Sequence, residues 1–181
     1  MRTLLAAILI ILGTPISAQQ PARPDHSRFH AFAKPLVGEW TVTIRERDEI
    51  GKMLFEERQK QVFAMTVANE FLEWHVISGS GSASRETGVV LFSYKPRENR
   101  LLQHAFFPGH ADLRFTADLD LTRDNRGADG VIITPAEPGF RQRRRLEIRW
   151  VGPSEFHYRC FARDANGREF LNEELVYQRI A

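Results

Sequence analysis

Residues 112–121 read DLRFTADLDL. Leu113, Phe115, Ala117, Leu119 and Leu121 are apolar, and Asp112, Arg114, Thr116, Asp118 and Asp120 separate them. Successive side chains of a strand point to opposite faces, so this period of two describes a strand with one face in a core and the other in water. The same alternation recurs on both sides. Toward the carboxyl end, Leu146, Ile148 and Trp150 alternate with Glu147 and Arg149, Glu155–Arg163 reads as strand, and Glu169–Ile180 closes the chain. Asp164-Ala165-Asn166-Gly167 between the last two is hairpin-turn chemistry. Toward the amino end, Leu101–Phe107, Gly88–Tyr94, Asn69–Val76, Leu54–Met65 and the alternating Trp40, Val42 and Ile44 are further strands. A short strand is expected at Val131–Thr134, after a polar loop at Arg123–Gly130.

No stretch reads as a long amphipathic helix. Phe29, Phe32, Ala33 and Leu36 have helical spacing, but Pro35 limits that segment to a turn or two, enough to cap an open end. About ten strands joined by short turns must either expose edges or close on themselves. The pattern therefore predicts an all-β, up-and-down barrel of antiparallel strands with a short amino-terminal capping helix. A two-sheet sandwich is the competing architecture. An outer-membrane barrel fits less well, because charges such as Asp112, Asp118, Asp120, Glu147 and Arg149 would face lipid.

The chain has 181 residues, enough for one domain, and its 43% hydrophobic content excludes wholesale disorder. Its 25 Lys plus Arg against 23 Asp plus Glu give no basic footprint, so a nucleic-acid partner is not expected. Residues 1–18 read as a secretory signal peptide, with Arg2, an apolar run from Leu4 to Leu12, and a small-residue site ending at Ala18. That run is too short to span a bilayer, so no stable membrane insertion is expected after cleavage, and the protein is expected in the periplasm or medium. Residues 19–28 then form a flexible leader and residues 29–181 a single domain. Cys160 is the only cysteine, so no internal disulfide can form.

Leu36-Val37-Gly38-Glu39-Trp40 opens the first strand, and Val176-Tyr177-Gln178-Arg179 ends the last. A glycine-x-tryptophan start of this kind resembles the lipocalins and wider calycins. That resemblance implies that Gly38 and Trp40 shape the barrel floor and that Arg179 packs across the Trp40 ring. Gly88 with Tyr94, Asp164–Glu169 and Tyr177-Gln178-Arg179 further resemble a bacterial lipocalin-like family of unknown function, the DUF1579 type. Haem-carrying barrels with a similar opening use a histidine near the carboxyl end. Here the last histidine is His157, and no cofactor is expected.

Candidate site residues follow from strand parity. His75 shares a face with Phe71 and Glu73, His104 with Leu102 and Phe106, and His157 with Arg159 and Phe161. Each is a candidate polar anchor inside an apolar cavity, whose remaining lining is expected from Trp40, Phe115, Trp150 and Tyr177. Glu73 with His75 is the only pairing that suggests acid–base chemistry. Cys160 and His157 are three apart on one strand and face opposite sides, as do Glu173 and Glu174, so neither forms a dyad. No local motif has metal-ligand spacing, and no metal is expected. The basic run at Arg141, Arg143, Arg144 and Arg145 reads as a solvated loop and strand start. The leading expectation is an exported barrel that binds a small, mostly apolar molecule. A small hydrolase- or isomerase-like enzyme using the same cavity, and a structural protein with a filled interior, are the alternatives.

Overall fold

Ten antiparallel strands run in sequence order around a closed barrel, each paired with the strands before and after it. They are β1 (Gly38–Arg47), β2 (Met53–Thr66), β3 (Phe71–Ser78), β4 (Arg85–Lys95), β5 (Arg100–Phe106), β6 (Arg114–Leu121), β7 (Gly127–Pro135), β8 (Arg141–Gly152), β9 (Glu155–Arg163) and β10 (Glu169–Arg179). This computed structural model describes residues 25–66, 69–78, 85–107, 114–135 and 141–180. The export signal read at 1–18, the leader as far as residue 24, and residues 79–84 lie outside the described residues. Among those described, no helix is long and apolar enough to cross a membrane.

Closure comes from the chain ends. β1 pairs with β10 over seven residue pairs, with Trp40 opposite Arg179 and Val42 opposite Tyr177. One end of the barrel is then plugged by α1 (Ser27–Ala33) and a 3₁₀ turn at Lys34–Leu36. The helix begins two residues earlier than the apolar spacing predicts. The reason is Arg28, whose guanidinium donates to Asn125 Oδ1 at 3.0 Å, Asn99 Oδ1 at 2.6 Å and the Thr122 carbonyl at 2.8 Å. Asn99 and Asn125 both sit at positive φ in tight turns, a conformation asparagine tolerates better than most residues. One arginine thus ties the cap to two of the turns that rim the barrel. Phe29, Phe32 and Leu36 are buried beneath it, and the Phe29 ring stacks on Tyr94 at 6.0 Å.

The Trp40 indole is fully buried and donates to the Leu36 carbonyl at 2.7 Å. The Arg179 guanidinium lies 4.3 Å from its ring, in cation–π geometry. Arg179 also donates to the carbonyls of Val37, at 3.1 Å, and Pro35. Cap, first strand and last strand are fastened at one point.

Strands β7 and β8 are longer than the alternation predicts, starting at Gly127 and Arg141 rather than Val131 and Leu146. The extra inward positions in β7 are Ala128 and Gly130, which carry no bulk to mark a core face. A Cβ on Gly130 would lie 2.1 Å from the Asp118 carbonyl oxygen and 2.8 Å from the Leu119 Cα, because β6 passes directly over it. The outer wall is charged, with pairs such as Arg100–Asp118 at 2.6 Å, Arg45–Glu56 at 2.7 Å and Arg145–Glu169 at 2.9 Å.

Gly130→Ala is expected to destabilise the protein by about 2 kcal/mol or more, since backbone cannot move aside as a side chain can. Gly152→Ala, where no atom lies within 4 Å of the new methyl, is expected to be close to neutral. Urea denaturation of the two variants checks the contrast.

Candidate functional site

Inside the barrel, the half next to α1 is solid with aromatic rings. Phe156 stacks on Tyr177 at 4.1 Å, Trp40 meets Phe156 edge-on at 5.0 Å, and Phe63 stacks on Trp74 at 5.6 Å. Such pairs are worth about 1 kcal/mol each beyond the area they bury. Their polar atoms are satisfied internally. Gln61 Oε1 accepts from Trp74 Nε1 at 2.7 Å and from the Tyr177 hydroxyl at 2.9 Å. Gln103 Nε2 donates to the Tyr158 hydroxyl at 3.0 Å. Burial pushes both tyrosine hydroxyls well above their ordinary pKa, so they stay protonated donors.

The other half holds an open-mouthed cavity of about 190 Å³. Trp74, Tyr158 and Gln103 form its floor. Val90, Ala105, Phe107, Phe115, Ile132 and Leu175 supply apolar walls, and Thr134, Arg144, Cys160 and Glu173 complete the lining. Phe107 and Phe115 meet edge to face at 5.6 Å. Burial raises the Cys160 thiol far out of the thiolate range, which leaves it a small apolar filler.

Two ionisable groups reach this cavity. Arg144 stands on β8 and bonds Gln142 Oε1 through Nε and Nη2, at 3.0 and 2.8 Å, and Asn172 Oδ1 through Nη1 at 2.8 Å. Glu173 stands on β10, opposite Cys160 of β9 and Glu46 of β1. It is part-buried and lines the cavity. Burial, and then the Glu46 charge, raise its pKa against the opposing pull of Arg144.

The residues expected to line a cavity are distributed differently. Phe115 does line it. Trp40 and Tyr177 point inward but are wholly buried in the aromatic packing, and Trp150 joins them near the capped end. His75, His104 and His157 all face outward, so none is an interior anchor. Their neighbours Trp74, Gln103, Ala105, Phe156 and Tyr158 take the inward positions of those strands. The parity shared with Phe71, Leu102 and Phe161 was that of the outer wall. Glu73 is outside as well, 3.1 Å from His75 Nε2, with Glu86 at 2.8 Å from His75 Nδ1. His157 Nε2 lies 2.9 Å from Glu155, and its Nδ1 accepts from Arg159 at 2.8 Å.

Gln61, Gln103, Arg144 and Glu173 were missed as interior residues. A signal for each was present: Gln61 shares parity with Phe63, Gln103 with Leu101 and Ala105, Arg144 with Leu146 and Ile148, and Glu173 with Leu175 and Tyr177. Among the described residues, no group of three or more His, Cys, Asp or Glu side chains could hold a metal ion.

No family model matches the chain, and no curated protein matches it. Solved structures do. An S-type phycobiliprotein lyase, CPES, from Guillardia theta is similar with a TM-score of 0.55 and 11% identity, over 84% of this chain and 93% of that one. Rv2717c from M. tuberculosis is similar with a TM-score of 0.54 and 14% identity, over 81% of this chain and 94% of that one. At such identities the likeness is one of fold: a ten-stranded antiparallel barrel of the lipocalin and calycin type.

The outer-wall triad has a measurable consequence. Burial disfavours the charged His75 ring, but the hydrogen bonds and charges of Glu86 and Glu73 outweigh it and the pKa is raised. A raised histidine contributes stability that is complete below its unfolded pKa of about 6.5 and is lost as pH rises through the folded value. An NMR titration is expected to place His75 above about 6.5, and Glu86→Gln is expected to lower it.

Proposed function

We propose that this protein binds one small, mostly apolar molecule in the cavity between Trp74, Phe115 and Leu175. The observation that carries this reading is the uneven filling of the barrel. One half is packed solid with rings, while the other keeps about 190 Å³ open beside a few converging polar groups. Apolar walls with a small number of placed polar atoms are the usual composition of a ligand pocket. An internal space of about 150 Å³ accepts benzene in another protein, so the ligand here is on the scale of one substituted ring. That excludes drug-sized or fatty ligands without rearrangement of the walls.

Binding is favoured over catalysis by the chemistry of the lining. Cys160 is held as a thiol, and the Glu73–His75 pairing lies on the outer wall rather than at the cavity. The export signal read at 1–18 supports binding outside the cytoplasm. Amino-terminal sequencing of protein recovered from the periplasm or medium, beginning after Ala18, is the check on that point.

Toluene is a suitable neutral probe. It is expected to shift the Trp74 indole N–H resonance in a saturable titration. Ala105→Leu, which grows a side chain into the cavity, is expected to weaken toluene by about tenfold or more while leaving the barrel folded. Saturable binding that survives Ala105→Leu unchanged would move the site elsewhere and overturn the reading.

A further inference from the structure

We propose that the molecule taken by this cavity carries a carboxylate, received jointly by Arg144 and Glu173. The inference rests on the binding reading above and supplies the chemistry of the ligand's polar end.

Arg144 is held from behind by neutral acceptors alone. A guanidinium has five N–H donors in a fixed fork. The bonds to Gln142 and Asn172 engage Nε, Nη1 and Nη2 and leave one hydrogen free on each terminal nitrogen. Among the described residues Arg144 forms no salt bridge, and the Glu173 carboxyl lies within reach of its charge. Glu173 likewise forms no hydrogen bond among the described residues, although it borders the same cavity. Both line the same cavity with hydrogen-bonding capacity that no protein group uses, so one ligand group can engage both.

A β-bulge in β10 brings Glu173 to that wall. Leu171 pairs with Phe161 and Glu173 pairs with Cys160, so Asn172 is an extra residue in β10. Without it, Asn172 would stand opposite Cys160 and Glu173 would turn to the outer wall. The bulge therefore turns Glu173 inward and frees Asn172 to accept from Arg144 and to donate to the Arg47 carbonyl at 3.0 Å. Bulges re-aim side chains in this way beside binding sites.

Charge selects the ligand class. The titratable and charged groups around Glu173 are Glu46 on β1, Arg144 on β8, Tyr158 and Cys160 on β9, and Tyr177 on its own strand. The tyrosines and the thiol are neutral, and Glu46 stands directly opposite in the strand register. Burial and Glu46 favour a protonated Glu173. With Glu173 protonated, the wall offers one positive charge with two free N–H hydrogens and one O–H donor. A carboxylate accepts from both. An amine would meet the Arg144 charge and would require Glu173 to ionise.

Benzoate, toluene and benzylamine share a ring and differ in charge. With the Trp74 indole resonance as readout, benzoate is expected to bind about tenfold or more tightly than toluene, and benzylamine more weakly than toluene. Arg144→Met is expected to remove the advantage of benzoate over toluene. Should that variant fail to fold, Arg144→Lys keeps the charge, loses the fork, and is expected to lose part of the advantage of benzoate over toluene. Benzoate is expected to bind more weakly as pH rises through the raised Glu173 pKa, and Glu173→Gln is expected to flatten that dependence. Toluene binding with benzoate no tighter, or with benzylamine the tightest, would overturn the carboxylate inference and leave the apolar-ligand reading standing. If none of the three probes shifts Trp74, both fail.

Discussion

The pairing of β1 with β10 is the constraint on which the rest of this molecule depends. A meander of ten strands has two free edges until its first and last strands meet, and only then does it have an inside. The register that closes it sets Trp40 opposite Arg179, and those two residues tie the seam to the cap. Arg179 lies over the indole and donates to carbonyls of the segment that joins α1 to β1. The indole in turn donates to Leu36. Arg28 fastens the opposite side of the cap to the turns at Asn99 and Asn125. The plugged end is therefore held by directional bonds around its rim and by aromatic packing beneath.

That asymmetry makes room for a site. Rings from β1, β2, β3, β9 and β10 fill the capped half, and Gln61 fixes two of them by hydrogen bonds. Toward the other end the inward residues become smaller at Ala105 and Cys160, and polar at Thr134, Arg144 and Glu173. A rigid floor with a partly polar chamber above it suits a binder whose ligand must be compact. The same floor explains why Trp40 and Tyr177, which look like pocket aromatics in isolation, belong to the structure of the barrel rather than to its contents.

The fold was legible because ten strands of alternating polarity leave few ways to hide their edges. DLRFTADLDL and the hairpin at Asp164–Gly167 carry that message plainly. Strand β7 was under-read because its inward positions near the start are Ala128 and Gly130, too small to show as a hydrophobic face. Strand β8 was under-read because Arg144 looks like one more member of a basic run. The site was less legible for a related reason. Parity tells which residues share a face, but a strand with aromatic or aliphatic groups on both faces does not say which face is inside. His75, His104 and His157 each had apolar companions on the outer wall. Glu173 shares parity with Leu175 and Tyr177, but the extra residue at Asn172 shifts the β10 register just before it and blurs that signal. Likeness to solved barrels at 11% and 14% identity confirms the architecture and leaves the cavity chemistry to this chain's own side chains.

The central claim is that the half of the barrel away from the helix is hollow and can admit a small apolar guest. A crystal structure under xenon pressure tests it most directly, because xenon enters dry apolar spaces of this size without specific chemistry. The account predicts xenon between Trp74, Phe115, Ile132 and Leu175. Side chains of Phe107 and Phe115 folded inward, with no xenon in the barrel, would contradict it.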